Sequence, residues 1–317
     1  MKTGRMDIVT KSAGEGEDIP DAYETEVRVN SLVWITSLRE SEKGVTDRIL
    51  EDLEPHLNKL GIGFTRFEPR SRDELYAFLD MLREKAVSSF RPIIHLDMHG
   101  HAQDGLKVVA SGENAPWPHM VELFREINVA MNNCLCVISL ACFGFHILRD
   151  LDFKKPTPFY ALVGSDREIA AGDIEERAMR FYKRVFEAQD LATACEEVWQ
   201  DSPRLWLAEK YLFEILVNYV LKTTKGQFLR ARRESALTFA RRQGLPASDM
   251  KAYRRWVREN LKPNAHLIDK YGRRFFIGRP VNFTLKQVKD AAELFEKKLK
   301  RTRRRTGHEP YFMFNRH

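Results

Sequence analysis

Cysteine is scarce in this chain of 317 residues: four stand in the whole sequence. Three of them, Cys134, Cys136 and Cys142, lie on or beside one apolar segment, where neighbouring strand positions point to alternate faces. They do not make a disulfide framework, and a reducing cytoplasm is the expected compartment. Long apolar runs are missing too. The longest, Tyr211 to Leu221, contains Glu214 and falls well short of the roughly 20 residues that span a bilayer, so no membrane segment is expected. Residues 1 to 28 lack the apolar stretch and small-residue cleavage site of an export signal and read as a polar, flexible lead. Internal repeats are absent.

What is present is unevenly spread. From Asp201 to the end there are 28 Lys and Arg against 11 Asp and Glu, leaving 24 against 34 for residues 1 to 200. The net charge of +7 therefore averages a body of −10 with one of +17, an asymmetry expected of two modules with different partners. With 43% of residues hydrophobic, the chain can bury one large core or two modest ones.

Residues 29 to 200 alternate strand and helix patterns. Ser31 to Leu38 reads as a strand, and Val45 to Leu60 as a helix with apolar positions at Ile49, Leu50, Leu53, Leu57 and Leu60. Ile62 to Phe67 is a second strand, and Ser71 with Glu74 forms a capping box that opens a helix buried through Leu75, Phe78, Leu79 and Leu82. Pro92 to Met98 is the third strand, followed by a hairpin around Asp104-Gly105 whose return is Leu106 to Ala110. A helix over Trp117 to Asn132 leads to strands at Cys134 to Ala141 and Phe159 to Val163, and helices over Asp173 to Ala188 and Leu191 to Trp199 close the unit. Asp173 reads as the N-cap, with Glu175 and Glu176 in the first turn. This alternation predicts an α/β fold, a mostly parallel sheet with helices on both faces. Residues 201 to 317 predict a basic helical module instead: Leu205 to Arg232, Lys251 to Asn260 and Thr284 to Arg301 carry helical patterns, and the block from Lys297 to Arg305 is expected to stay exposed.

Two strand ends carry chemistry. Ile93 to Gly100 is an apolar run ending in His99-Gly100, and Val137 to Gly144 ends in Cys142-Phe143-Gly144. A parallel sheet sets the carboxyl ends of its strands side by side, so an imidazole and a thiol can meet there although 43 residues separate them. A thiol attacks a carbonyl as thiolate, which needs a base in reach and two backbone N–H groups for the developing oxyanion. The amides of Gly100 and Cys142 are the candidates, since glycine lets the backbone approach a substrate carbonyl and Gly144 permits the sharp turn after the strand.

These residues resemble a known family. His99-Gly100 and Ser-Leu-Ala-Cys-Phe-Gly over 139 to 144 look like the His-Gly and Ala-Cys signatures of caspase-like cysteine peptidases, closest to the CHAT branch. Leu162-Val-Gly164-Ser, Asp173, Phe181-Tyr182, Ala192 and Ala194 are similar to the stretch after the Cys strand in that branch. The likeness covers about Ser31 to Trp199 and implies a cysteine endopeptidase with His99 as general base and Cys142 as nucleophile, no metal and no cofactor. It also implies control by an activating partner, for which the module over 201 to 317 is the candidate, and a place in bacterial antiviral defence. Leu140 stands where caspases have Gln, and Leu140-Ala141 where metacaspases have Asp-Ser, so neither Asp-specific nor Arg/Lys-specific cleavage carries over.

Other readings compete. Asp97 and Asp166 lie at or beyond strand ends, where they could receive a basic substrate side chain, or could satisfy turn N–H groups. Asp97-Met-His99-Gly-His101 also matches the Asp-x-His-x-His spacing of zinc amidohydrolases, which needs an eight-unit barrel with further ligands. His95, Cys134, Cys136 and Cys195 read as packed or edge positions, and His119 and His146 as helical surface or capping groups. A catalytically idle scaffold is the non-enzyme alternative. For the basic module, charge and the interleaved Tyr253, Trp256, Tyr271, Phe275 and Phe276 allow nucleic acid or an acidic protein as partner, with a solvated surface as the plainest reading.

Overall fold

Ser31–Ser37 (β1) is buried at every position, the burial expected of a strand with helices on both of its faces. The computed structural model describes residues 23, 26, 29–199, 203–223, 226–261 and 263–306. Of the expected lead, Tyr23 and Glu26 fall among them, and Glu26 forms an isolated antiparallel bridge with Asp190; the rest of the lead lies outside the described residues.

The strands and helices alternate through Lys43–Lys59 (α1), Gly63–Phe67 (β2), Arg72–Val87 (α2), Pro92–His101 (β3), Gly105–Lys107 (β4), Asn114–Ala115 (β5), Trp117–Ala130 (α3) and Cys136–Ser139 (β6). A 3-10 turn over Gly144–Asp150 then leads to Ala161–Gly164 (β7), Ala171–Ala188 (α4) and Leu191–Val198 (α5). Half of the capping box forms: Ser71 Oγ accepts the Glu74 N–H at 3.1 Å, while the Glu74 carboxylate accepts from the N–H of Arg70, one residue before the cap, at 2.7 Å. Asp173 does not cap α4; the helix starts two residues earlier, with Ala170 at the N-cap, and Asp173 sits in the first turn, where its charge still meets the positive helix end.

The sheet order is β2-β1-β3-β6-β7-β8, the last being Arg204–Leu207, with parallel pairs except at the last. That open order is not the closed eight-unit barrel a zinc amidohydrolase requires, and among the described residues no group of three or more His, Cys, Asp or Glu is placed to hold a metal ion. Alternation divides β3 cleanly. Ile94, Leu96 and Met98 join Val33, Ile35, Val137 and the apolar stripes of α2 and α3 in the main core. His95, Asp97 and His99 point the other way, towards α1 and α4.

The strand Arg204–Leu207 (β8) replaces the beginning of the helix expected from Leu205. It pairs antiparallel with β7, Ala161 opposite Leu207 and Gly164 opposite Arg204. Ala208–Thr223 (α6), Gly226–Arg242 (α7), Met250–Asn260 (α8), Ala265–Phe275 (α9) and Leu285–Thr306 (α10) follow. The compact unit built on the sheet runs from Tyr23 to Leu212 and takes back Leu267–Asn282, so its boundary is not at residue 200. The returning segment is held firmly. Phe275 and Phe276 are buried, Thr157 N–H donates to the Phe275 carbonyl at 2.9 Å, and Arg279 lies over the Tyr160 ring at 4.4 Å. The buried Glu209 carboxylate accepts from the Asn282 backbone N–H. The other unit is helical, with Phe213 against Phe283 at 5.2 Å and Arg232 stacked over Tyr219 at 5.2 Å. The basic block from Lys297 to Arg305 continues α10, and the side chains beyond Lys297 lie outside the described residues. Among the described residues no helix is long and apolar enough to cross a membrane.

Candidate active site

Gly100 and Cys142 bring the two strand ends together. The parallel register pairs Ile93 with Cys136 and Leu96 with Ser139, where β6 ends, and the chain on either side then meets at Gly100 and Cys142. The approach is so close that a Cβ built on Gly100 would fall 1.9 Å from the Cys142 carbonyl oxygen. This differs from the expected use of the glycine: its missing side chain makes room for the Cys142 backbone itself, and no larger residue fits without displacing it.

After Cys142 the chain turns abruptly. Phe143 has φ 59°, in the left-handed region, which a bulky aromatic adopts only when its surroundings impose it. Those surroundings are visible: Phe143 N–H donates to the Arg167 carbonyl at 3.3 Å and Phe145 N–H to the Ser165 carbonyl at 2.9 Å. Gly144 passes directly over β6, where a Cβ would lie 2.5 Å from Ser139 Oγ. Cys142 is half-buried and a free thiol. Its N–H makes no backbone hydrogen bond among the described residues.

His99 has a partner that the residue pattern did not point to. Its Nε2 lies 2.9 Å from Glu42 Oε2, at the N-cap of α1. A carboxylate only accepts, so Nε2 is the donor, which in the neutral imidazole leaves the lone pair on Nδ1, the form a general base needs. Burial works against the charge on Glu42, but the Arg39 N–H at 2.9 Å and the His99 hydrogen bond together hold its carboxyl below the ordinary value. No hydrogen bond among the described residues joins His99 to Cys142 Sγ: the backbones meet while the imidazole faces Glu42. Glu42 was missed because it lies in a charged loop, Arg39 to Lys43, with nothing in its spacing to connect it to a histidine 57 residues away.

The remaining candidates take other roles. Asp97 is not a free cleft carboxylate: it accepts from Trp34 Nε1 and Thr36 Oγ1, each at 3.2 Å, and from Thr46 Oγ1 at 2.5 Å. Burial pushes its carboxyl up, with those three donors opposing. Asp166 is exposed and ion-paired with Arg204 at 2.9 Å, so its charge is already met on the neighbouring strand. His95 packs as expected, stacked on Trp34 with ring centroids 3.5 Å apart and hydrogen-bonded through Nδ1 to Tyr182 Oη. Its burial lowers the imidazole to about 3, so at neutral pH it is uncharged. His101 pairs with Asp104 at 2.9 Å, and His146 Nδ1 contacts the Ala102 carbonyl at 2.8 Å. Burial raises both Cys136 and Cys195 to about 12, which keeps those thiols protonated.

The fold and site together define an open α/β protein with a thiol and a carboxylate-bound imidazole at the carboxyl ends of adjacent parallel strands. No protein-family model matches the chain and no curated protein is similar to it.

Proposed function

We propose that the protein is a cysteine endopeptidase, with Cys142 as nucleophile, His99 as general base and acid, and Glu42 as the residue that positions His99. The observation that carries this reading is the backbone contact between Gly100 and Cys142, which brings the two strand ends together. In the forward step His99 Nδ1 takes the Cys142 proton and the thiolate attacks the peptide carbonyl carbon, while the Cys142 and Gly100 amides receive the oxyanion. Collapse of the tetrahedral intermediate breaks the C–N bond, and His99 returns its proton to the leaving amine. Water, deprotonated by His99, then hydrolyses the thioester and releases the new carboxylate. Contact with substrate has first to turn the imidazole towards the thiol.

The competing proposal is a catalytically idle scaffold, favoured by the lack of a His99–Cys142 hydrogen bond among the described residues. Reading new amino termini by mass spectrometry, after incubating a proteome with wild type and with Cys142→Ala, separates the two. Cleavages made only by wild type are expected. Their absence, together with alkylation of Cys142 by a peptidyl electrophile no faster than that of Cys134, would leave the scaffold. Control of the site by a partner bound to the basic module is part of the proposal, with the substrate's preferred residue at the scissile bond read from the same termini.

A further inference from the structure

The cations of this molecule fall into two groups. Many on the sheet unit are matched by carboxylates: Arg48 by Glu175, Arg66 by Asp47 and Arg184 by Glu197, at 2.6–2.7 Å. Residues 226–261, which hold α7 and α8, carry nine Lys and Arg against three Asp and Glu, and eight of the nine are Arg. Among the described residues none of these nine forms an ion pair. Lys251, Arg254, Arg255 and Arg258 are exposed along one helix of eleven residues, a concentration of like charge that repels itself until an anion arrives.

Aromatic rings lie among these charges. Trp256 is 55% exposed and stacks on Tyr253, with centroids 5.5 Å apart and ring planes 20° from parallel. On α7, which packs against α8, Phe239 is 61% exposed next in line to Arg241 and Arg242. The buried side of α8 is supplied by Met250 and Val257, so the core does not need Trp256. Phe275 and Phe276, also candidates for such a role by sequence, are enclosed in the other unit and take no part.

We infer that α7 and α8 present a binding surface for single-stranded nucleic acid, with guanidinium groups on the phosphates and a base stacked on the open face of Trp256. Arg rather than Lys suits this task, because its planar fork makes paired hydrogen bonds to phosphate. An acidic peptide or an anionic bilayer is attracted by charge alone. The open indole backed by Tyr253 adds a flat surface that an unpaired base fills and that a duplex, with its bases already stacked, does not. This surface does not depend on the peptidase reading.

Fluorescence anisotropy of a labelled single-stranded oligonucleotide of mixed sequence, titrated with the full chain, tests it. Binding is expected to weaken about tenfold between roughly 50 and 200 mM salt, as release of counterions from a few phosphates requires. Trp256→Ala is expected to weaken it about fivefold or more, the effect of one lost stacking contact, and Arg254→Glu with Arg255→Glu to weaken it further. A duplex of the same length should bind less tightly. The surface is overturned by no binding at the lower salt, by equal affinity for single strand and duplex with no effect of Trp256→Ala, or by preference for phosphatidylserine vesicles or poly-glutamate over the oligonucleotide. Circular dichroism of each variant shows whether a loss of binding is a loss of fold.

Discussion

His95 shows how a single buried side chain ties this fold to pH. The folded protein protonates it only near 3, whereas an unfolded chain protonates histidine near about 6.5. Between those values the unfolded state binds more protons, so stability is complete above the upper value and falls as pH drops through the window. Going from pH 7 to pH 4 the contribution lost is roughly 3 kcal/mol. Asp97, whose carboxyl is pushed up, acts in the opposite sense by favouring the protonated folded form. Comparison with His95→Phe, which retains Asp97 and the ring on Trp34, isolates the histidine: urea unfolding should show a shallower acid loss in the variant. Equal losses would place the acid sensitivity elsewhere.

Two further residues can be tested singly. Gly100→Ala sets a methyl against the Cys142 carbonyl and should destabilise by about 1–3 kcal/mol, the usual cost of overpacking, with the thiol's reactivity changed as the strand ends part. Glu42→Ala removes the acceptor that fixes the tautomer of His99. It should slow alkylation of Cys142 on the order of tenfold or more with little change in melting temperature, because the pair is partly exposed and exposed pairs add little stability. Unchanged alkylation would remove Glu42 from the site. The His-Gly and Cys-x-Gly ends were legible in the sequence because each follows an apolar strand directly. Glu42 was not, since a loop carboxylate acquires its partner only when β3 is laid beside β1.

At the scale of elements, β1, α1, β2, α2 and β3 matched their sequence patterns to within a few residues, because periodicity and the Ser71 cap speak locally. β8 and α9 were harder. Arg204–Leu207 continues straight into the apolar pattern of α6, and four residues of that kind satisfy a helix as well as a strand until β7 offers an edge to pair with. The segment Leu267–Asn282 lies in the basic part of the chain, and its Phe275 and Phe276 look like surface aromatics between arginines. Their burial instead makes them core residues of the sheet unit. Phe275→Ala should cost about 3–5 kcal/mol, read as a lowered urea midpoint, whereas Trp256→Ala on the exposed face of α8 should leave the midpoint nearly unchanged.

At the scale of the whole molecule, charge and fold divide the chain at different places. The basic stretch begins near residue 201, but the sheet unit claims residues up to Leu212 and again from 267 to 282. A truncation ending near Asp201 would therefore remove β8 and the returning segment, expose the β7 edge and uncover the ground beneath Phe275 and Phe276. It is expected to aggregate rather than to yield a deregulated domain; a soluble, monomeric product by light scattering would contradict this. A test of control by the basic module needs surface substitutions on α7 and α8 instead.

By itself the sequence determined the alternation of strands and helices, the placing of His99 late in β3 and of Cys142 shortly after β6, and the division of charge. Each is written in neighbouring residues or in composition. Only the tertiary structure decided that Gly100 gives way to the Cys142 backbone, that Glu42 holds the imidazole, that Asp97 is enclosed by Trp34, Thr36 and Thr46, and that residues 267–282 return to the sheet. Those are contacts between segments tens of residues apart or more, and side-chain periodicity, which repeats over two residues in a strand and 3.6 in a helix, carries no information about which distant segment will cover a given face.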